Sequence, residues 1–181
     1  AYVEDVAASG GYWVALAADD IVAHPSAIVG SIGVVTATFG VDRALERLGV
    51  ERRLYATGAH KGMLDPFRPE NPDDVRILEE LHADTYDAFV ALVRRRRGAK
   101  LADDPQLFDG RVFSGQRARS LGLVDEVGDP MAVLRGRHGD DVRIRVYGAP
   151  RRPWWRRLRG EGAEAVLARI EERLMWHRFG L

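Results

Sequence analysis

Ser9 stands where a nucleophile would be built. It lies in Asp-Val-Ala-Ala-Ser-Gly-Gly-Tyr-Trp, residues 5–13, between a strand-like and a helix-like segment. Gly10 and Gly11 permit a sharp turn and close backbone approach. A helix starting there would put Ser9 at its positive end, where free amides can stabilise an oxyanion on a substrate carbonyl. This is the layout of a nucleophile, although it is not the Gly-x-Ser-x-Gly elbow. An ordinary serine N-cap followed by a glycine turn fits the same residues.

A serine nucleophile needs a base. The five histidines are His24, His60, His82, His138 and His177. His82 falls on the longest helical pattern, and His138 and His177 fall near helix ends, which suits surface or capping roles. His24 and His60 fall in loops and stay open as bases. So does Lys61, in the segment Thr-Gly-Ala-His-Lys-Gly-Met-Leu-Asp-Pro-Phe-Arg-Pro, residues 57–69. A lysine serves as base only where desolvation favours its neutral form. Met63, Leu64 and Phe67 would supply apolar surroundings. A solvated loop lysine is the plain alternative. Lys61 and Lys100 are the only lysines among 27 basic residues.

The elements that must position these groups alternate. Residues 1–7 read as extended, 12–20 as a helix of small residues, 21–23 as a buried strand, and 27–38 as strand and tight turn. Asp42 is placed to cap a helix over 43–48 that Gly49 stops, and 50–56 reads as the next strand. The clearest helix spans 72–97. Asn71 caps it, Pro72 suits its first position, and Asp73 and Asp74 occupy its first turn. Val75, Leu78, Leu81, Thr85, Phe89 and Leu92 form one apolar stripe. Arg94 to Arg97 close its last turn in favour of the macrodipole, which accounts for the run without nucleic acid. Ser114 caps a helix over 116–121, 123–127 is a buried strand, and Asp129-Pro130 opens a helix to about His138. Residues 142–147 alternate as a strand, and an amphipathic helix runs from about Glu161 to Trp176. Strands alternating with helices argue for an α/β fold with a largely parallel sheet.

Composition narrows the classes. The chain has 181 residues, 46% hydrophobic and 30% charged, enough for a core. Twenty-seven basic residues balance 27 acidic ones, which argues against a whole-chain nucleic-acid partner. Without cysteine there is no disulfide, thiol catalysis or thiolate metal site. No metal or cofactor is called for. The longest strictly apolar run, Tyr12 to Ala18, is far short of the roughly 20 residues a membrane-spanning helix needs.

Four ordered segments resemble the signal peptide peptidase A family. They are Asp-Val-Ala-Ala-Ser-Gly-Gly-Tyr-Trp, Gly-Ser-Ile-Gly-Val-Val (30–35), Gly-Ala-His-Lys-Gly-Met-Leu-Asp-Pro-Phe-Arg-Pro, and the segment from Asp109 to Gly128. The resemblance covers roughly residues 1–140. It implies a Ser-Lys peptidase of Clp/crotonase-like fold, with Ser9 as nucleophile and Lys61 as general base. It also implies that Ser31 hydrogen-bonds the lysine and that the Gly10 amide is one oxyanion donor. The family's upstream strands supply the other donor, and its N-terminal membrane anchor also lies upstream. The expected chain is therefore the C-terminal part of a protease domain, residues 1–148, followed by a basic linker and helix, 149–181. Membrane association, self-association into a homo-oligomer and hydrophobic peptide substrates such as cleaved signal peptides follow from the resemblance. The segment 109–128 reads as scaffold, with Asp125 and Glu126 structural or solvated.

The tail carries eight Arg against four Glu from Arg151 onward. Trp154, Trp155 and Trp176 beside arginine suit a membrane interface, and equally a neighbouring subunit. Two other functions stay open. One is a crotonase-like acyl-CoA hydratase or isomerase, which needs no Ser-Lys pair. The other is a non-catalytic assembling scaffold of the same fold.

Overall fold

The computed structural model describes residues 1–143, 145 and 147. The chain divides into two compact units, Ala1–Val142 and Arg143–Leu181, and every described element lies in the first. The expected boundary at 148/149, the C-terminal helix and the three tail tryptophans lie outside the described residues. So do residues 144 and 146 of the expected strand at 142–147.

Two small sheets organise the first unit. In one, β3 (Val22–Ala23) lies between β1 (Tyr2–Val3) and β6 (Glu126–Val127), and both pairings are parallel. In the other, β4 (Ile28–Gly30) pairs in parallel with β2 (Val6–Ala8) and antiparallel with β5 (Val112–Ser114). The short helix α1 (Gly10–Ala15) follows β2, and α2 (Asp42–Arg47) precedes the long α3 (Pro72–Arg97). Helices α4 (Gly115–Ser120) and α5 (Pro130–His138) follow β5 and β6 respectively. The architecture is mixed α/β, with three of the four described strand pairings parallel. Tyr12, Leu16, Ile21, Val29, Phe89 and Leu123 form its buried centre, with Trp13 stacked on Phe89.

The capping expectations hold at three helices. Asn71 Oδ1 accepts from the Asp73 amide at 3.0 Å, Ser114 Oγ from Arg117 at 3.3 Å, and Asp129 Oδ1 from Ala132 at 2.9 Å. Each bond satisfies an otherwise orphaned helix donor. Four expectations are corrected. The first helix starts at Gly10 and ends at Ala15, because Ala17 and Ala18 bond three residues back and tighten its last turn. Asp42 lies inside α2 while Val41 occupies the cap position without a side-chain bond. Residues 50–56 form no strand, since no described neighbour offers them a ladder, and all are exposed. In α3 one position of the expected stripe differs: Leu81 is 58% exposed, while Val75, Leu78, Thr85, Phe89 and Leu92 are buried or half-buried.

The arginine run closing α3 does more than meet the dipole. Arg97 is buried, its Nε donates to Gly122 O at 2.7 Å, and its guanidinium grips Asp125 through both nitrogens at 2.8 and 3.0 Å. Lys100 adds a bond to Asp125 at 2.6 Å, and the Ile21 amide adds another at 2.8 Å. Burial works against the Asp125 charge. The bonds from Arg97, Lys100 and Ile21 outweigh it and hold the carboxyl well below the usual carboxylate range. Asp125 therefore stabilises the fold fully above its ordinary value of 3.8, and that contribution is lost as pH falls below it. Arg97→Ala would leave Asp125 with only Lys100 and the Ile21 amide, and Gly122 O without its donor, and should cost about 2–3 kcal/mol in urea unfolding. Asp125→Asn should flatten the acid limb of stability between pH 4 and 2, measured by the same unfolding. An unchanged acid limb in that variant would remove Asp125 as its source.

Candidate active site

The residues around Ser9 are held in an uncommon backbone. Ser9 has φ 51° and ψ −121°, and Ser31 has φ 52°; Leu64 is the third non-glycine with positive φ among the described residues. Such conformations cost energy and persist only where the surrounding structure imposes them, commonly at functional sites. Here the imposition is visible. The Ser9 amide donates to Gly30 O at 2.8 Å, at the end of the β2–β4 ladder. The Ser31 amide donates to Arg111 O at 2.8 Å, just beyond the β4–β5 ladder. The glycines flanking Ser31 let these strands close. A Cβ on Gly30 would come within 2.9 Å of the Phe113 ring, and one on Gly33 within 3.2 Å of Gly110 Cα. Gly10 and Gly11 differ from expectation, since a Cβ on either would meet nothing within 4 Å. The sharp turn falls on Ser9 itself, and the glycines leave open space over the start of α1.

Ser9 starts α1 without capping it. Its side chain makes no capping bond, unlike those of Asn71, Asp104, Ser114 and Asp129. The hydroxyl is exposed at the mouth of a cleft of about 320 Å³. Ser31 lines the same cleft, together with Val34, Val35, Tyr86, Phe108 and Asp109. Tyr86 OH donates to Phe108 O at 2.7 Å, so its hydroxyl is spent on the wall. Arg111 hydrogen-bonds Asp109 and holds that exposed carboxyl below its ordinary value. The segment 109–128, expected as scaffold, lends Asp109 and Gly110 to this cleft, and Tyr86 and Phe108 join it unforeseen. Residue type gave no signal for them: Tyr86 comes from α3 and Phe108 from the turn before β5, and the Tyr86 hydroxyl bond to Phe108 O joins the two beside the serines.

Lys61 is not among the residues of that cleft. It is exposed in a turn, its amide donating to Gly58 O at 3.2 Å. A larger hollow of about 570 Å³ adjoins this turn, but neither serine lines it. Three of the histidines, the candidates His24 and His60 among them, have other partners. His24 Nδ1 lies 2.7 Å from Ser26 Oγ, His60 Nδ1 lies 2.9 Å from Asp74 Oδ1, and His82 Nε2 lies 2.8 Å from Thr36 Oγ1. Asp74, His82 and Tyr86 share one face of α3 at steps of eight and four. From Asp74, which meets the Lys61 turn, to Tyr86, which borders the serine cleft, α3 rises about 18 Å.

The sequence profile described as Peptidase family S49 matches residues 1–138. The chain belongs to that family. It is the signal peptide peptidase A family. Among its relatives, the serine protease SPPA, chloroplastic, of Arabidopsis thaliana is 36% identical over 71% of this chain and 19% of its own length. Protease 4 of Salmonella typhi is 33% identical over 68% of the chain and 20% of its own length. A Brucella melitensis protein named Na(+)/H(+) antiporter NhaA is 43% identical over 99% of the chain, but over only 26% of itself. The chain thus spans about a quarter of that relative or less in each case. The antiporter's name belongs to that protein. In this peptidase-family chain no described helix is long and apolar enough to cross a membrane.

Proposed function

We propose that this chain carries the nucleophile and the base of a serine endopeptidase, Ser9 and Lys61, on a Clp/crotonase-like fold. The observation that carries the reading is a serine with an uncapping, exposed hydroxyl, held at positive φ beside open helix amides. Lys61 takes the Ser9 proton, Ser9 attacks a peptide carbonyl, and the Gly10 amide holds the oxyanion with a donor from an upstream segment. Lys61 returns the proton to the leaving amine and then activates water on the acyl-enzyme. The apolar walls Val34, Val35 and Phe108 fit hydrophobic peptides such as cleaved signal peptides. Among the described residues no glutamate lines the cleft, so the acyl-CoA reading gains no support from them.

The two catalytic groups come from neighbouring copies in this proposal. A lysine base must be shielded from water, and Lys61 is exposed in the single chain. The roughly 18 Å run of α3 between the Lys61 turn and the cleft favours delivery from elsewhere. The arm around Lys61 also presents Phe39 and Tyr55 at 83% and 90% exposure, apolar surface suited to burial against another copy. The enzyme is then an oligomer that works at a membrane surface, anchored outside this segment. Mixing inactive Ser9→Ala with inactive Lys61→Ala, under proven subunit exchange, should restore part of the peptide hydrolysis. Mixed oligomers that stay inactive would refute the shared site.

A further inference from the structure

The turn that carries Lys61 is closed mainly on itself. The Lys61 amide bonds Gly58 O and the Met63 amide bonds His60 O, each at 3.2 Å, and no strand pairs with residues 50–62. One side-chain bond joins this turn to a rigid element. His60, the residue before Lys61, sets Nδ1 2.9 Å from Asp74 Oδ1 at the start of α3. The Asp74 side chain is 13% exposed, while that of His60 is 52% exposed. The carboxylate therefore belongs to the scaffold, and the imidazole rests on it. The same helix is fixed in the core by Phe89 and Val93.

We propose that Asp74 is a positioning residue that acts through His60 to fix the loop bearing Lys61. The inference rests on the reading of Lys61 as base. A neutral amine at the end of a four-carbon stem reaches its partner only if its backbone is held to about 0.5 Å. The His60–Asp74 bond supplies that hold from the adjacent residue. A general helix-terminus effect is separable from it. Asp73 lies in the same turn with the same charge, but its side chain is 71% exposed and meets Arg76.

The test compares His60→Ala, Asp74→Ala, their double variant, His60→Asn and Asp73→Ala in the complete protein. It reads kcat and KM on an unstructured peptide and the rate of Ser9 labelling by a fluorophosphonate. His60→Ala and Asp74→Ala should lower kcat and labelling by about 10- to 100-fold with KM little changed. The double variant should be no worse than either single, because both remove one bond. His60→Asn keeps a nitrogen donor where Nδ1 stands and should recover most of the rate. Asp73→Ala should behave as wild type. Wild-type labelling in Asp74→Ala, or an equal loss in Asp73→Ala, would overturn the positioning role. Lys61→Arg separates the two ideas: if it too labels normally, the base assignment has failed, and if it is inactive while Asp74→Ala is normal, only the positioning role has.

Discussion

Ser9→Ala is expected to lower kcat by at least about 10⁴-fold, with melting unchanged. Removing the nucleophile of a cooperating set costs nearly the whole covalent route, leaving what the oxyanion site and binding supply. The fold should not notice. The Ser9 hydroxyl makes no capping bond, and the turn is held by backbone bonds of the same residue, its amide to Gly30 O and its carbonyl from the Trp13 amide. Deleting an exposed hydroxyl of this kind changes stability by roughly 0.5 kcal/mol or less. Ser114→Ala is the contrasting case, because that hydroxyl does cap a helix. It should cost about 1 kcal/mol of stability and little activity. Steady-state kinetics and thermal melts on the two variants separate a reacting serine from a structural one.

Lys61→Arg is expected to be almost as inactive as Lys61→Ala, each losing about 10³-fold or more in kcat. Arginine keeps the charge and most of the length of the side chain, but it does not give up its proton in a protein. A lysine that served only as a surface cation would tolerate the exchange. Lys100→Arg is the matched control, since Lys100 pairs with Asp125 and an arginine can do the same. It should leave kcat unchanged. Normal turnover by Lys61→Arg would move the base elsewhere. His60 or His24, both exposed, would be the next residues to test.

Local chemistry was legible where one residue type serves one geometry. Asn71 before Pro72, Ser114 before Gly115 and Asp129 before Pro130 each announce a helix start, and each side chain makes the bond its position implies. Ser9 was legible for a similar reason, as a serine between a strand and a glycine pair. The sequence did not reveal that its hydroxyl is released from capping or that φ is positive at Ser9 and not at the glycines. Those follow from the bond between its amide and Gly30 O, which needs β2 and β4 in register. Long-range partners explain the other gaps. Arg97 sits in a run of four arginines, and only the approach of Asp125 and Gly122 distinguishes it. Residues 50–56 have the β-branched and aromatic look of a strand, but strand formation depends on a neighbour. Tyr86 and Phe108 become cleft residues only when the loop before β5 folds against α3.

The most direct measurement is site-resolved labelling of the complete protein with a fluorophosphonate, read by peptide mass spectrometry. A Ser9 nucleophile served by Lys61 predicts one adduct, on Ser9, absent from Ser9→Ala and slowed at least about 10³-fold in Lys61→Arg. An adduct on another serine, or labelling of Ser9→Ala at the wild-type rate, would contradict it.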